Sequence, residues 1–242
     1  MSIIEFNNVS FGYPNSKELA LDGVNLAVEQ GEFLVVAGSN GSGKSTLSLH
    51  MDALLRPTGG TVVVCGMDTA DKKLAAQIRR NCALVFQNPD DQTVASVVED
   101  DVAFGPENLG LPREEIRTRV DDALERVGLA GFQERLVADL SRGQRQRVAI
   151  AGALAMQPAI LVCDEPCAML DAPGRRAVMD VLKEVNTAGT TVVLITHDMR
   201  DASDADRIII MSCGRIAMEG APASVLQQEN ASHLFELGLE LP

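Results

Sequence analysis

Gly38-Ser-Asn-Gly-Ser-Gly-Lys-Ser-Thr46 fits the pattern G-x-x-x-x-G-K-[ST], and its flanks decide how the rest of the chain is read. The apolar run Phe33-Leu-Val-Val-Ala37 before it predicts a buried parallel strand, and Thr46-Leu-Ser-Leu-His-Met51 after it predicts a helix. Strand, glycine-rich loop and helix in that order make a phosphate-binding loop. The glycines let backbone N–H groups converge on an anion, and the helix N-terminus adds partial positive charge. Lys44 is placed to neutralise the β- and γ-phosphates and Ser45 to ligate Mg²⁺. Ser39, Asn40, Gly41, Ser42, Gly43 and Thr46 complete the cradle. The stretch implies a site for a nucleoside triphosphate.

Outward from this loop, two kinds of strand are predicted. Before it, Ile4–Val9 and Val24–Val28 alternate in the manner of antiparallel strands, and Thr61–Cys65 is expected to join them. From residue 33 onward the strands become short, continuously apolar runs, as in a sheet covered on both faces. They are Phe33–Ala37, Ala83–Phe86, Ile160–Cys163, Val192–Ile195 and Ile208–Met211. Between the second and third lies an insertion, 88–157, that reads as helical. Within it Ile116, Val120, Leu124 and Val127 share one helix face, and Pro112 with Arg113-Glu-Glu115 makes a plausible start. A second helix is expected from Ser141, where Ser-Arg-Gly-Gln144 has the shape of a capping box. A third, at about 173–187, opens on Pro173 and stops near Gly189. The expected fold is α/β: a P-loop NTPase core with a parallel sheet, an N-terminal antiparallel β subdomain and an inserted α-helical subdomain.

Composition narrows the function. The net charge of −13 argues against a nucleic-acid partner, which needs a basic face. No charged-then-apolar segment at the N-terminus suggests export. The longest apolar run, Val148–Met156, covers nine residues, where a membrane span needs about 20. These features predict a chain soluble by itself. Five cysteines (65, 82, 163, 167, 213) show no zinc or redox spacing and are expected to serve as small buried apolar residues.

In open α/β sheets, ligands bind beyond the carboxyl ends of the strands. Ala37 runs into the phosphate loop, Phe86 into Gln87, Cys163 into Asp164-Glu165, and Ile195 into Thr196-His197. Asp164 suits a direct or water-mediated Mg²⁺ contact. Glu165 beside it can aim at an attacking water as general base. Gln87 is placed to bridge metal and water, and a neutral His197 to hydrogen-bond the γ-phosphate while holding Glu165 and water in line.

Leu140-Ser-Arg-Gly-Gln-Arg-Gln-Arg147, followed by Val-Ala-Ile-Ala-Gly, resembles the signature motif of ABC-type ATPases. The order of motifs is also similar to that family's: phosphate loop, Gln87, signature, Ile160–Glu165, a D-loop at Ala168-Met-Leu-Asp171, and the switch His197. The resemblance implies two such domains closing head to tail on two ATP molecules. Ser141, Arg142, Gly143 and Gln144, with Asp171, would then meet the partner's nucleotide and interface. Tyr13 matches the position of the aromatic that stacks on adenine.

A narrower resemblance lies at Val85-Phe-Gln-Asn-Pro-Asp-Asp-Gln92 and Val98–Asn108, which look like the ATP-binding subunit of energy-coupling-factor transporters, importers of vitamins or of cobalt and nickel ions. Met169 suggests the first of two paralogous subunits. The resemblance implies a second ABC ATPase chain, a transmembrane coupling subunit that docks near this region, a substrate-binding membrane subunit, and a peripheral place at the cytoplasmic face of the membrane. Glu99-Asp-Asp101 would receive arginines from the coupling subunit. Two other readings remain: the ATPase subunit of an ordinary ABC importer or exporter, and a soluble non-transport ABC ATPase.

Two departures stand out. Arg142 occupies the signature's usual first glycine, and after residues 1–220, the nucleotide-binding domain, only 221–242 remain. That tail is expected to hold a helix near Ser232–Leu237 and to be a shortened dimerisation segment.

Overall fold

The computed structural model describes every residue except Asn15, Met169 and Pro242. Met169, the D-loop position that suggested the first paralogue, therefore lies outside the described residues. Two sheets organise the chain. The first is antiparallel, built from β1 (Ser2–Phe11), β2 (Leu21–Glu29), β4 (Gly59–Val64) and β5 (Met67–Asp68) in the order β2-β1-β4-β5. The second has six strands, β10-β9-β3-β8-β7-β6, from β3 (Phe33–Gly38), β6 (Cys82–Val85), β7 (Ile160–Asp164), β8 (Thr191–Thr196), β9 (Arg207–Ser212) and β10 (Arg215–Gly220). β3, β6, β7, β8 and β9 run parallel, whereas β10 returns antiparallel on the edge.

The apolar runs form these central strands because both faces of the sheet are covered. Along β3, Phe33, Val35 and Ala37 join one buried cluster with α5 (Arg142–Ala155) and α6 (Ala172–Thr187). Leu34 and Val36 join another with α1 (Lys44–Met51) and the antiparallel sheet. With no solvent-facing side, alternation disappears and every residue is apolar.

Residues 88–157 connect β6 to β7 through α3 (Val98–Asn108), α4 (Arg113–Arg126) and α5, with short 3-10 turns at Pro89–Asp91 and Val137–Asp139. α4 buries Val120, Ala123 and Leu124, with Ile116 packed against the same cluster. α6 begins one residue before Pro173 and ends before Gly189, as its punctuation predicts. α2 (Ala75–Asn81) precedes β6, and α7 (Pro222–Val225) and α8 (Ala231–Glu236) follow β10. Among the described residues no helix is long and apolar enough to cross a membrane.

Three cysteines, 82, 163 and 167, are buried as expected. Cys213 departs from that expectation and is exposed, because it sits with Gly214 in the two-residue turn between β9 and β10 at φ +47 and +75. Left-handed values at both positions are what such a hairpin turn requires. Cys65-Gly66 turns β4 into β5 in the same way, at φ +50 and +75.

Candidate active site at the strand ends

Register sets the site. Val85 lies opposite Cys163, Asp164 opposite Ile195, and Ala37 opposite Thr196, so four neighbouring strands stop at nearly one level. The residues just beyond them, the phosphate loop, Gln87, Glu165 and His197, are thereby brought to one edge of the sheet.

The phosphate loop is tightly held. Gly43 has φ +106, and a Cβ there would run into the Ala20 carbonyl, so only glycine fits. Lys44 is 5% exposed and donates to the carbonyls of Gly38 at 2.8 Å and Ser39 at 2.9 Å. Burial pushes its pKa down, while the carboxylates of Glu165 and Asp164 act in the opposite direction. Ser42 is buried and Ser45 exposed, with its hydroxyl beside Asp164. Thr46 is buried and shares a 3.2 Å hydrogen bond with the Tyr13 hydroxyl.

Asp164 ends β7 nearly buried, and burial raises its pKa, with the Ser45 hydroxyl the chief opposing influence. Its Oδ1 has no hydrogen-bond partner among the described residues. A buried carboxylate oxygen left unmatched beside a serine hydroxyl and a lysine suits a hard cation with oxygen ligands, so the residues present fit Mg²⁺.

Glu165 follows in a left-handed conformation, φ +47, with its N–H on the Ile195 carbonyl at 2.9 Å. This uncommon backbone for a non-glycine residue turns the side chain out of the strand's alternation. Its Oε2 accepts from Gln87 Nε2 at 3.1 Å and lies 3.1 Å from His197 Nδ1. The structure thus brings Gln87, Glu165 and His197 together, three residues separated by up to 110 positions, and with both contacts on Oε2 the other carboxyl oxygen of Glu165 is left available for a water.

The signature residues do not join this cluster within the chain. Ser141 caps α5, its Oγ accepting from Gln144 N–H at 3.3 Å while Gln144 Oε1 accepts from Ser141 N–H at 2.8 Å. Ser141 and Arg142 are exposed, and Gly143 and Gln144 half-buried. Asp171 caps α6 by accepting from Gly174 N–H at 2.9 Å. Asn40 and Gly41 lie exposed on the rim of the phosphate loop, with Ser39 half-buried before them.

Several residues of the site escape a reading of the sequence. Phe11 stands edge-on between Tyr13 (ring centroids 5.0 Å apart) and the buried His50 (4.9 Å), whose Nδ1–H donates to the Thr46 carbonyl at 2.7 Å. Gln92 fastens the segment after Gln87, accepting from Phe86 N–H at 2.8 Å. Asp101 accepts from the N–H groups of Val94 and Ala95 at 2.7 and 2.9 Å, which leaves Glu99 and Asp100 as the exposed acids of that trio. The C-terminal segment also reaches the loop: Gly238, at φ +79, packs where a Cβ would sit 3.0 Å from that of Ser39. Only the apolar spacing of Leu234 and Leu239, both buried, hints at this docking.

Comparison with known proteins bears on this geometry. The family model described as ABC transporter matches residues 21–168. The energy-coupling factor transporter ATP-binding protein EcfA1 of Clostridium novyi is 51% identical over 245 residues, covering 100% of this chain and 87% of the relative. Among solved structures, cbiO1 from Clostridium perfringens, part of the ABC transporter complex cbiONQ, superposes with a TM-score of 0.85 at 34% identity, over 97% of this chain and 99% of that one. A dimeric ATP-binding cassette in a post-hydrolysis state with ADP and phosphate superposes with a TM-score of 0.81 at 33% identity, over 90% of this chain and 98% of that one. With matches that span the chain and a strand-end site of this design, the chain belongs to the ABC transporter family, among its energy-coupling factor ATP-binding proteins.

Proposed function

We propose that this chain binds and hydrolyses ATP to power solute import through an energy-coupling-factor-type membrane transporter. The observation that carries the reading is the Gln87–Glu165–His197 cluster, set at the same sheet edge as Lys44 and Asp164. The phosphate loop and Lys44 hold the triphosphate, and Tyr13 lies at the loop's flank for the adenine ring. Glu165 takes the proton of a water whose oxygen attacks the γ-phosphorus, and the bond to the bridging oxygen of ADP breaks. His197 and Gln87 fix the direction of the Glu165 carboxylate. Asp164, Ser45 and Gln87 would hold Mg²⁺, which supplies charge neutralisation on the phosphates when bound.

The proposed assembly is a head-to-tail pair with a second ABC ATPase chain, self or homologous, in which Ser141, Arg142, Gly143, Gln144 and Asp171 face the partner's nucleotide. A transmembrane coupling subunit and a substrate-binding membrane subunit complete it, at the cytoplasmic face of the membrane, with no nucleic acid. In this reading residues 1–220 are the nucleotide-binding domain, 88–157 its helical lobe, and 221–242 a tail that contributes to pairing. The solute is a vitamin or a transition-metal ion.

The Glu165→Gln variant tests the chemistry. It is expected to keep ATP affinity while hydrolysis falls at least about a hundredfold. Unchanged turnover would remove Glu165 from the role of base. Purification from detergent-solubilised native membranes tests the assembly: a second ABC ATPase, one polytopic subunit and a small membrane protein are expected together. Recovery with a pair of permeases alone would replace the coupling-factor assembly by an ordinary transporter.

A further inference from the structure

Immediately after His197 the chain enters a cluster of charges that neither the phosphate loop nor the Glu165 cluster uses. Arg175, one turn into α6, donates from Nη1 to Asp198 Oδ2 at 2.5 Å and from Nη2 to Asp201 Oδ2 at 3.2 Å, with its Nε 3.2 Å from Asp201 Oδ1. Asp201 is 3% exposed and also accepts from the Thr196 hydroxyl at 2.9 Å. The same hydroxyl accepts from Asp198 N–H at 3.0 Å. Arg200 closes the group from solvent by donating to both oxygens of Asp198, at 2.9 and 3.1 Å from Nε. Arg200 and then Arg175 hold the Asp198 carboxyl well below the usual carboxylate range.

The position of this cluster in the chain gives it its interest. Thr196 and Asp198 bracket His197 in sequence, so both backbone neighbours of the switch residue are tied through one guanidinium. At the other end, Arg175 N–H bonds to the Asp171 carbonyl at 2.9 Å, and Asp171 caps α6. A cavity of about 220 Å³ lies alongside, lined by Glu165, Leu170, Arg175, His197 and Asp198. A rigid fork therefore spans from the loop that ends at Asp171 to the segment that aims His197 at Glu165. Arginine suits this task because its planar guanidinium fixes two carboxylates in one orientation, which an ammonium does not.

We propose that Arg175 is a positioning residue that sets the His197 imidazole against Glu165 and makes its placement follow the Asp171 loop. In this role it acts through Asp198 and the Asp201–Thr196 pair and not on the reacting groups directly. The inference rests on the proposed ATPase reading, in which the Asp171 loop meets the second cassette. Pairing that shifts this loop then shifts α6, and the fork carries the shift to His197 along a connected set of charged contacts.

The test uses Arg175→Lys, which keeps the charge beside buried Asp201 and preserves the fold, along with His197→Ala and the double variant, each in the full chain with the subunits that purify with it. Arg175→Lys is expected to lower kcat at least about tenfold, with KM for ATP within about twofold of wild type. In the His197→Ala background the same substitution is expected to change kcat less than about twofold, since its target is already gone. A melting temperature within a few degrees of wild type accompanies these results. If Arg175→Lys leaves kcat unchanged, or lowers it by a further tenfold in the absence of His197, the positioning role is overturned. Failure of the ATPase reading itself would look different: wild type and Glu165→Gln would hydrolyse ATP at the same rate.

Discussion

Two helix N-termini in this molecule carry the same physical device in opposite states. At α1, Gly38, Ser42 and Lys44 are buried against strand ends while Asn40 and Gly41 form an exposed rim, Lys44 is folded onto loop carbonyls, and Asp164 lies beside Ser45. At α5, Ser141 and Arg142 are exposed, and the first turn is satisfied by a capping box of the chain's own side chains. Both ends concentrate partial positive charge for an anion. The difference teaches where each finds its ligand. The α1 end is completed by its own sheet, so its ligand binds in cis. At the α5 end Ser141 and Arg142 are exposed, so a phosphate that reaches it is expected to come with another molecule.

This contrast predicts unequal responses to mutation. The largest belongs to Lys44. Lys44→Ala removes a buried cation from the phosphate loop, and ATP affinity is expected to fall about a thousandfold, or about 4 kcal/mol. Equilibrium binding of a labelled ATP analogue to the isolated chain measures it, and a loss under tenfold would dissolve the distinction between the two helix ends.

Next comes Asp52, at the far end of α1. It is buried 3.9 Å from Arg79, and burial pushes its pKa from 3.8 up to about 7, with Arg79 opposing. Between those two values the folded protein keeps a proton that the unfolded chain has released. Stability therefore falls as pH rises through that window, by roughly 2–4 kcal/mol, and is lowest above it. Asp52→Asn abolishes the dependence: its melting temperature relative to wild type is expected to rise between pH 4.5 and pH 8. A pH-independent difference would mean that Asp52 is charged throughout in the fold.

The same contrast explains what the sequence makes legible. The phosphate loop, the strands and the capping box are local patterns, each with its physical cause inside about a dozen residues. Strand ends then locate Gln87, Asp164, Glu165 and His197, because parallel register converts separate runs into one edge. The Arg175–Asp201 pair, Phe11 between Tyr13 and His50, and Gly238 on Ser39 are invisible at that level. Each depends on how elements far apart in the chain pack, and the residue types involved are common on any surface. The left-handed turn at Glu165 is equally hidden, since nothing about a glutamate favours positive φ. Cys213 misleads for a related reason: its neighbour Gly214 announces a turn more strongly than cysteine announces a core, whereas Cys65 in the equivalent turn stays half-buried against the core.

At the α5 end the expected effects are smaller. Ser141→Ala removes the acceptor of the Gln144 N–H, and an N-cap of this kind contributes about 1 kcal/mol. Thermal unfolding of the isolated chain is expected to register that loss while ATP affinity stays unchanged. A drop in affinity without a partner would show the signature turn acting in cis, against the exposure of Ser141.

Arg142 gives the smallest and sharpest case. It replaces a glycine of the signature pattern, yet it occupies the first turn of α5 with its side chain exposed, and the capping box does not involve it. Arginine is also the better helix former by close to 1 kcal/mol, which offsets any cost of crowding at the turn. Gly143 and the Ser141 hydroxyl, the groups expected to face a partner's phosphates, are independent of it. Arg142→Gly is therefore expected to change ATPase turnover of the assembled pair by less than about tenfold, under about 1.4 kcal/mol of barrier. A larger rise would mean that the guanidinium obstructs closure, and a larger fall that it touches the partner's nucleotide. Either result would put Arg142 inside the shared site, and the α5 end would then owe its chemistry to a side chain as well as to the backbone at its N-terminus.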